Sequence, residues 1–247
     1  MAENGSRGGR RLSPETIARA ALGLLNEGGL DGLTMRELAK RLDVRAATLY
    51  WHLRNKRELL DAMAALMFEE AVAGVEGPRR GEDWQEWAAA LATRLRRTML
   101  RYRDGARVFA GTSVGGPTTF RVIELILRTL QDAGYAPERA ARLFPVLLHY
   151  TVGFTIEEQA RQGLDYPEGE SPYEPDRARD AVDPGRFPLV AGVLGELFDG
   201  DADAGFARGL RVVLAGLAAE LPEAAELPEL PEGARPDDAS VRGRPAT

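Results

Sequence analysis

The 247-residue chain has no cysteine, two histidines and few aromatic residues. The absence of cysteine excludes disulfides and thiolate metal sites, and it is typical of proteins from a reducing compartment. Long hydrophobic runs are missing as well: the longest one near the C-terminus, residues 212–219, has eight residues, whereas a membrane-spanning helix needs about 20. Residues 1–11 are basic but precede no apolar stretch, so we expect no secretory signal. These absences favour a cytoplasmic protein without a membrane partner.

The formal net charge of −6 is unevenly distributed along the chain. Residues 1–60 carry 11 Lys and Arg against 7 Asp and Glu, whereas the remaining residues carry 21 against 31. A basic N-terminal part on an acidic body is typical of a DNA-binding module joined to a domain of another kind. Chance asymmetry among solvated charges would give the same numbers, so the charge pattern leaves both interpretations open.

Apolar residues recur at helical spacing in nearly every segment, and no segment shows the sustained alternation of a strand. The sequence therefore predicts an all-α fold. Near the N-terminus we expect a helix from Ser13 that ends at Gly28 and Gly29, one from Thr34, a short one over residues 45–50 and one from Asn55. Further helices are expected over residues 84–102, 106–111, 117–133, 137–162, 189–198 and 202–221, with Gly134 as a left-handed cap. Residues 163–188 predict a long irregular connection.

A polar break at residues 77–83 divides the chain into two domains. We place the first domain at residues 12–76 and the second at residues 77–221. A flexible basic arm, residues 1–11, precedes them. An acidic, proline-bearing tail, residues 222–247, follows them, and we expect it to be disordered because it has almost no large apolar residues.

Residues 33–52 predict a short helix, a tight turn at Asp43 and Val44, and a second short helix. This is the layout of a helix-turn-helix, whose second helix enters the major groove of DNA. The side chains expected to face the core are Leu38, Leu42, Val44 and Leu49. The candidate DNA-binding side chains that remain outward are Arg36, Arg45, Ala46, Ala47, Thr48, Tyr50, Trp51, His52 and Lys56.

These outward residues combine two kinds of contact that a sequence-specific DNA-binding protein needs. Lysine and arginine neutralise phosphates, and threonine and tyrosine hydroxyls fix the position along the backbone. Arg36 can bind a guanine edge through two hydrogen bonds, and Ala46 and Ala47 are small enough to contact thymine methyls. The alternative is a helical hairpin in which Tyr50 and Trp51 belong to a partly buried core.

Residues 12–75 resemble the DNA-binding domain of the TetR family of one-component repressors. The matching residues are Leu33-Thr34-Met35-Arg36-Glu37-Leu38-Ala39, Leu42, Val44, Thr48-Leu49-Tyr50-Trp51-His52 and Asn55-Lys56-Arg57-Glu58-Leu59-Leu60-Asp61. The second domain resembles the ligand-binding domain of the tetracycline-responsive members of that family. Its matching residues are Trp84-Gln85, Arg103-Asp104-Gly105-Ala106, Gly111-Thr112, His149-Tyr150-Thr151, Gly153, Glu157-Glu158-Gln159 and Glu196-Leu197-Phe198-Asp199.

The resemblance implies a ligand-responsive repressor that binds a palindromic DNA operator as a homodimer. It implies an N-terminal three-helix helix-turn-helix domain linked to a C-terminal helical domain for ligand binding and dimerisation. The last two long helices would form a four-helix bundle with a partner, and a bound inducer would shift the fourth helix. The last helix has an apolar stripe that could be buried on a partner or pack within one chain: Phe206, Leu210, Val213, Leu214, Leu217 and Leu221.

The chain departs from the tetracycline-responsive members where they hold their ligand. Those proteins bind a magnesium–tetracycline chelate with a histidine as direct metal ligand, and Phe109 stands at that position here. Three further polar contacts to the drug align with Val72, Leu91 and Ile126, and a cavity without such partners favours apolar ligands. We therefore expect no magnesium–tetracycline, no metal and no cofactor. The expected inducer is a hydrophobic, aromatic or polyketide-like molecule that contacts Val72, Leu91, Leu95, Phe109, Thr112, Ile126 and His149.

Other residues of the second domain have more than one interpretation. His149 lies in an apolar segment, so it is either a core histidine that donates one hydrogen bond or a ligand contact. Glu157 and Glu158 have no second metal-binding side chain beside them and favour a solvated or interface surface over a site. Trp84 and Trp87 are interpreted as packing residues at the start of a helix.

Two further classes of function compete with a ligand-responsive repressor. A small helical enzyme is disfavoured because the chain has no glycine-rich phosphate loop after a strand and no base paired with a nucleophile at a mechanistic spacing. A DNA-binding regulator or architectural protein without an effector would not need the large acidic second domain.

Overall fold

The computed structural model describes residues 12–112, 115–162, 175–197 and 200–221. Every regular element within these ranges is a helix, which confirms the predicted all-α fold. The helices are α1 (Pro14–Gly32), α2 (Met35–Arg41), α3 (Ala46–Tyr50), α4 (Lys56–Val72), α5 (Trp84–Leu100), α6 (Gly105–Phe109), α7 (Pro117–Asp132), α8 (Pro137–Gln162), α9 (Pro175–Ala181), α10 (Pro188–Gly192), α11 (Leu194–Leu197) and α12 (Ala202–Ala219). Within these ranges no helix has the length and hydropathy to cross a bilayer. The predicted basic arm and acidic tail lie outside the described residues.

Side-chain caps fix the predicted starts of three N-terminal helices. Ser13 Oγ accepts a hydrogen bond from the Thr16 N–H at 3.1 Å, and Thr34 Oγ1 accepts one from the Glu37 N–H at 3.1 Å. The Asn55 carboxamide oxygen accepts from the Glu58 N–H at 2.9 Å. Each cap satisfies a backbone donor that has no partner inside the helix, which is why these polar residues mark the boundaries.

The first helix breaks at Gly29 (φ 66°, ψ −176°), as the prediction of an end at Gly28 and Gly29 requires, and one further turn continues α1 to Gly32. Glycine adopts this conformation without strain. A Cβ atom at Gly29 would lie 2.9 Å from Oδ2 of Asp104. That same carboxylate oxygen accepts a hydrogen bond from the Leu30 N–H at 2.8 Å, so the interruption allows α1 to contact the loop before α6 closely.

Two predictions for the C-terminal part are corrected. The described part of residues 163–188 contains the helix α9, although we expected an irregular connection. Its sequence alternates charged residues with alanine and has no apolar stripe, so the hydrophobic pattern gave no signal. The helix expected over residues 189–198 is divided into α10 and α11 at Val193, whose backbone (φ −126°, ψ 18°) leaves the helical region. The left-handed cap at Gly134 (φ 103°) is confirmed.

One continuous core extends from α1 to α12. In the N-terminal part it includes Ile17, Leu25 and Leu49, which are fully buried. Met63 and Met67 of α4 are buried in the same core, and α4 packs against α1, α5 and α6. Burying an apolar side chain of this size contributes about 1.5–3 kcal/mol, so α4 is held firmly between the two parts of the chain.

The apolar stripe of α12 packs within one chain. Phe206, Leu210, Leu214 and Leu217 are all buried, and α12 contacts α8 and α5. The Phe206 ring stacks on Tyr150 of α8 with a centroid distance of 5.5 Å. Val213 and Leu221, the other two residues of the predicted stripe, are half-buried.

A buried ion pair joins α5, α8 and α12. Arg96, 3% exposed, donates two hydrogen bonds to the Glu158 carboxylate, at 2.8 and 2.7 Å. It also donates to Asp203 Oδ1 at 2.5 Å, and this hydrogen bond lowers the pKa of the Asp203 carboxyl below its ordinary value. The guanidinium lies 4.9 Å from the centre of the Phe206 ring. Together these partners compensate the loss of water around the buried charge.

We expect Arg96→Ala to lower the free energy of unfolding by about 3–5 kcal/mol, because it leaves the Glu158 charge buried without its partner. The matched control is Arg97→Ala, which removes an exposed arginine from the next position and should cost less than about 0.5 kcal/mol. Urea denaturation at one protein concentration measures both. Replacing the pair together, Arg96→Met with Glu158→Leu, should recover most of the loss. Equal costs for Arg96→Ala and Arg97→Ala would contradict this interpretation.

Candidate DNA-binding face and ligand cavity

The helix-turn-helix is held by a tight turn and a few buried leucines. Asp43 adopts a left-handed conformation (φ 52°), and the Val44 N–H donates to the Ala39 carbonyl at 3.0 Å. Leu38 of α2 and Leu49 of α3 are fully buried. Because α3 has only five residues, this packing rather than its own hydrogen bonds keeps it helical.

The candidate DNA-binding residues lie on the outer side of α2, α3 and the first turn of α4. All of them are exposed except His52, which is half-buried. Tyr50 is 49% exposed and Trp51 is 88% exposed. The alternative in which these two rings belong to a partly buried core is therefore wrong. Large exposed aromatic side chains beside basic residues are typical of a binding surface.

A cavity of about 710 Å³ lies in the second part of the chain, within the size range of small-molecule sites. Helices α4, α5, α6, α7 and α8 supply most of its wall, and α12 adds Leu217. The residues proposed from the sequence to contact the ligand all line it: Val72, Leu91, Leu95, Phe109, Thr112, Ile126 and His149. Their contact with a ligand stays a prediction, but the fold brings them to one cavity.

The cavity wall is apolar and uncharged. Among the described residues that line it, none is aspartate, glutamate, lysine or arginine. Its polar side chains are Thr112, Thr119, Thr129, Thr151 and His149. Two of the hydroxyls are already engaged, since Thr112 Oγ1 donates to the Phe109 carbonyl at 2.7 Å and Thr151 Oγ1 donates to the Leu147 carbonyl at 2.8 Å. Such a surface binds through apolar contact and a small number of hydrogen bonds.

The position of Trp84 and Trp87 in the cavity wall was not predicted from the sequence. Both pack at the start of α5 as expected: Trp84 lies edge-on to Tyr135 at 5.7 Å, and the Trp87 indole N–H donates to the Glu76 carbonyl at 2.8 Å. Both also line the cavity. Trp84, Trp87, Leu91 and Leu95 recur at helical spacing, so the signal for this shared face was present in the sequence.

The two retained polar positions on α8 have different environments. His149 is exposed and borders the cavity, so its interpretation as a buried core histidine is wrong, and a ligand contact stays a prediction. Glu157 is exposed, whereas the adjacent Glu158 is buried against Arg96. Within the described parts of the chain, no group of three or more potential ligand side chains is placed to hold a metal ion.

The short helix α6 connects the cavity to both long helices of the N-terminal part. At its C-terminal end the Phe109 ring packs on Phe68 of α4, with centroids 6.4 Å apart. The guanidinium of Arg57, in the first turn of α4, donates to the carbonyl of Gly111, which lines the cavity. At the N-terminal end, Asp104 accepts from the Leu30 N–H at 2.8 Å. The segment from Asp104 to Gly111 is therefore in direct contact with both α4 and α1.

Comparison with known families matches both parts of the chain. Residues 17–63 match the family model described as bacterial regulatory proteins, tetR family. Residues 77–221 match the model described as tetracyclin repressor-like, C-terminal domain.

Individual proteins match over nearly the same length. The tetracycline repressor protein class A from transposon 1721 of Escherichia coli is 40% identical over 209 residues, which are 84% of this chain and 91% of that protein. A possible TetR family regulator from Streptomyces coelicolor A3(2) superimposes with a TM-score of 0.71 and 42% identity, over 84% of this chain and 99% of that one. The TetR family protein ActR of Streptomyces coelicolor, in complex with actinorhodin, gives a TM-score of 0.75 and 29% identity, over 87% and 99%. The chain belongs to the TetR family of transcriptional regulators.

Proposed function

We propose that the protein is a ligand-responsive transcriptional repressor that binds a palindromic DNA operator as a homodimer and is released by a small hydrophobic inducer. The observation that carries the proposal is the contact of the cavity wall with α4, the helix that directly follows the helix-turn-helix. A protein with this arrangement combines a DNA-binding surface, a ligand site and a mechanical connection between them. We place this activity in the cytoplasm, where the operator DNA is.

Coupling between the two sites follows from the packing of α6. A ligand that fills the cavity contacts the segment from Phe109 to Thr112 and displaces it from Phe68 and Arg57. Because α4 is buried on several sides, it responds by moving as a body rather than by bending. In a dimer, that movement changes the distance between the two α3 helices, and operator half-sites are read only at a fixed separation.

Exposed apolar surfaces support the homodimer. Val146 on α8 is 45% exposed and Val212 on α12 is 70% exposed. Leu189, Val193 and Leu197, in the α10–α11 segment, are also exposed. A second copy that packs against α8 and α12 would cover such surfaces, since exposed apolar patches commonly mark protein interfaces.

The cavity chemistry separates this chain from the tetracycline-responsive relatives. By the resemblance, Phe109 replaces the metal-binding histidine of those relatives, and a phenyl ring has no lone pair to donate to Mg²⁺. His149 is the only described lining side chain of a metal-binding type. Mg²⁺ prefers several oxygen ligands in octahedral geometry, and the apolar wall supplies no carboxylate. The cavity therefore favours an aromatic, polyketide-like ligand over a magnesium–tetracycline chelate.

A second candidate function is an effector-independent DNA-binding regulator or architectural protein. The DNA-binding surface fits this function equally well, but it leaves the cavity without a use. Operator binding in the presence and absence of small molecules discriminates between the two.

We expect Arg36→Ala to weaken binding to the cognate operator by about 1–3 kcal/mol while binding to random DNA changes little, because Arg36 is proposed to contact a base edge. Lys40→Ala is the matched control, since it removes an exposed positive charge from the same helix. Fluorescence anisotropy with both duplexes at one salt concentration measures the difference. Equal losses on both duplexes would show that Arg36 contacts only phosphate.

Operator selection from random duplexes should yield two-fold symmetric sequences, and a single half-site should bind far more weakly than the full palindrome, because a dimer reads two half-sites. Organic extracts of the source cells should release the protein from the selected operator in a gel shift. Half-sites that bind as tightly as the palindrome would exclude the dimer, and binding that no extract disturbs would favour the effector-independent function.

Fluorescence titration with tetracycline should show no magnesium-dependent binding, because the cavity offers an apolar wall where the chelate needs polar partners. The class A tetracycline repressor of Escherichia coli, measured in the same buffer, is the positive control. Tight binding of tetracycline that is lost when Mg²⁺ is removed would contradict the proposed ligand class.

A further inference from the structure

The charge of the ligand follows from the charge of the cavity. The wall formed by the described residues contains no aspartate, glutamate, lysine or arginine, and its apolar side chains come from every helix that borders it. Moving a charged group from water into such surroundings, without a partner of opposite sign, costs more than apolar contact returns. A ligand bound here is therefore uncharged in its bound form.

The polar groups lie near the two ends of the wall that α7 contributes. Thr119 and Thr129 both face the cavity, and they are separated by ten positions, or about 15 Å along a helix. Between them the lining residues of α7 are Val122, Ile123 and Ile126. This side of the cavity is thus long, apolar in the middle and polar near each end, which matches an elongated molecule with polar substituents near its ends.

One threonine of the cavity wall has a defined hydrogen-bonding state. The Thr112 hydroxyl proton is donated to the Phe109 carbonyl at 2.7 Å, so its oxygen can accept a hydrogen bond from a ligand but cannot donate one. Thr151 is fully buried and its hydroxyl is bonded to the Leu147 carbonyl, so it offers no hydrogen bond to a ligand. A hydroxyl group of the ligand can donate to Thr112.

Resting on the proposed function, we infer that the inducer is a neutral, elongated polycyclic aromatic molecule that carries uncharged polar groups, such as hydroxyls, near its ends. The cavity selects it against organic cations and carboxylates of the same shape. The residues that set this selectivity are those of the apolar middle, above all Ile126 and Leu91, where a charged side chain would reverse the preference.

A matched set of three anthracene probes tests the charge selectivity: 2-(hydroxymethyl)anthracene, anthracene-2-carboxylate and 2-(aminomethyl)anthracene, which are neutral, anionic and cationic at neutral pH. Of the three tryptophans of the chain, Trp84 and Trp87 line the cavity, and Trp51 lies on the DNA-binding face. In the full-length Trp51→Phe variant, quenching of tryptophan emission by the probe therefore reports cavity binding.

We expect the neutral probe to bind about 100-fold more tightly than either charged probe, because the cavity gives an unpaired charge no partner. Ile126→Lys should then improve binding of the carboxylate probe by about tenfold and weaken binding of the neutral one. Phe120→Lys is the matched control, since it adds the same charge to a 68% exposed position of α7 outside the cavity, and it should change neither affinity. Leu91→Lys provides a second position for the same test.

Comparable affinities for all three probes would overturn the inference, as would a lack of any quenching by the neutral probe. The proposed function has a separate readout, because operator binding and its release by extracts are measured without these probes. A protein that is released from its operator by a charged molecule would keep the proposed function and overturn only the inference that the ligand is neutral.

Discussion

The architecture depends on the packing of one helix, α4, between the two parts of the chain. Its first turn follows the helix-turn-helix, and its last turn supplies Phe68 and Val72 to the cavity wall. Between these ends Met63 and Met67 are fully buried. Close-packed helices shift as bodies and do not absorb a displacement locally. In the proposed mechanism, the same packing that stabilises the fold also makes the DNA-binding surface sensitive to the contents of the cavity.

The helix α6 depends on its surroundings. Five residues are too few for a helix that is stable by itself, so packing along its length and the contacts at its two ends hold it. Asp104 fixes the beginning through the Leu30 N–H, and Arg57 fixes the end through the Gly111 carbonyl. Ala106 and Val108 are fully buried, and the helix packs on α4, α5 and α8. In the proposed mechanism, a ligand that displaces this packed helix therefore displaces α4 with it.

Much of this could be predicted from the sequence, for physical reasons that differ between elements. Thr34 and Asn55 mark helix starts because their caps are local, and Leu38 and Leu49 indicate the buried face because periodicity is local too. The two adjacent glycines mark the break in α1, but the close approach of Gly29 to Asp104, a residue 75 positions away, could not be predicted from any local pattern. The burial of the Arg96–Glu158 ion pair could not be predicted from the sequence either. Charged residues on amphipathic helices have the same pattern whether water or another helix covers them.

Phe109 shows how one position can change both the chemistry of a site and the way in which the site acts. The resemblance implies that Phe109 replaces a histidine that holds the ligand through a metal ion in the tetracycline-responsive members. The Phe109 ring cannot bind a metal ion, and it packs on Phe68 of α4 instead. Attraction between two aromatic rings requires contact, so a ligand that separates the Phe109 and Phe68 rings removes the packing of both. In the proposed mechanism the inducer therefore works by displacing a packed wall rather than by coordinating it. This favours a rigid, apolar molecule that fills the cavity over one that binds through a few strong polar contacts.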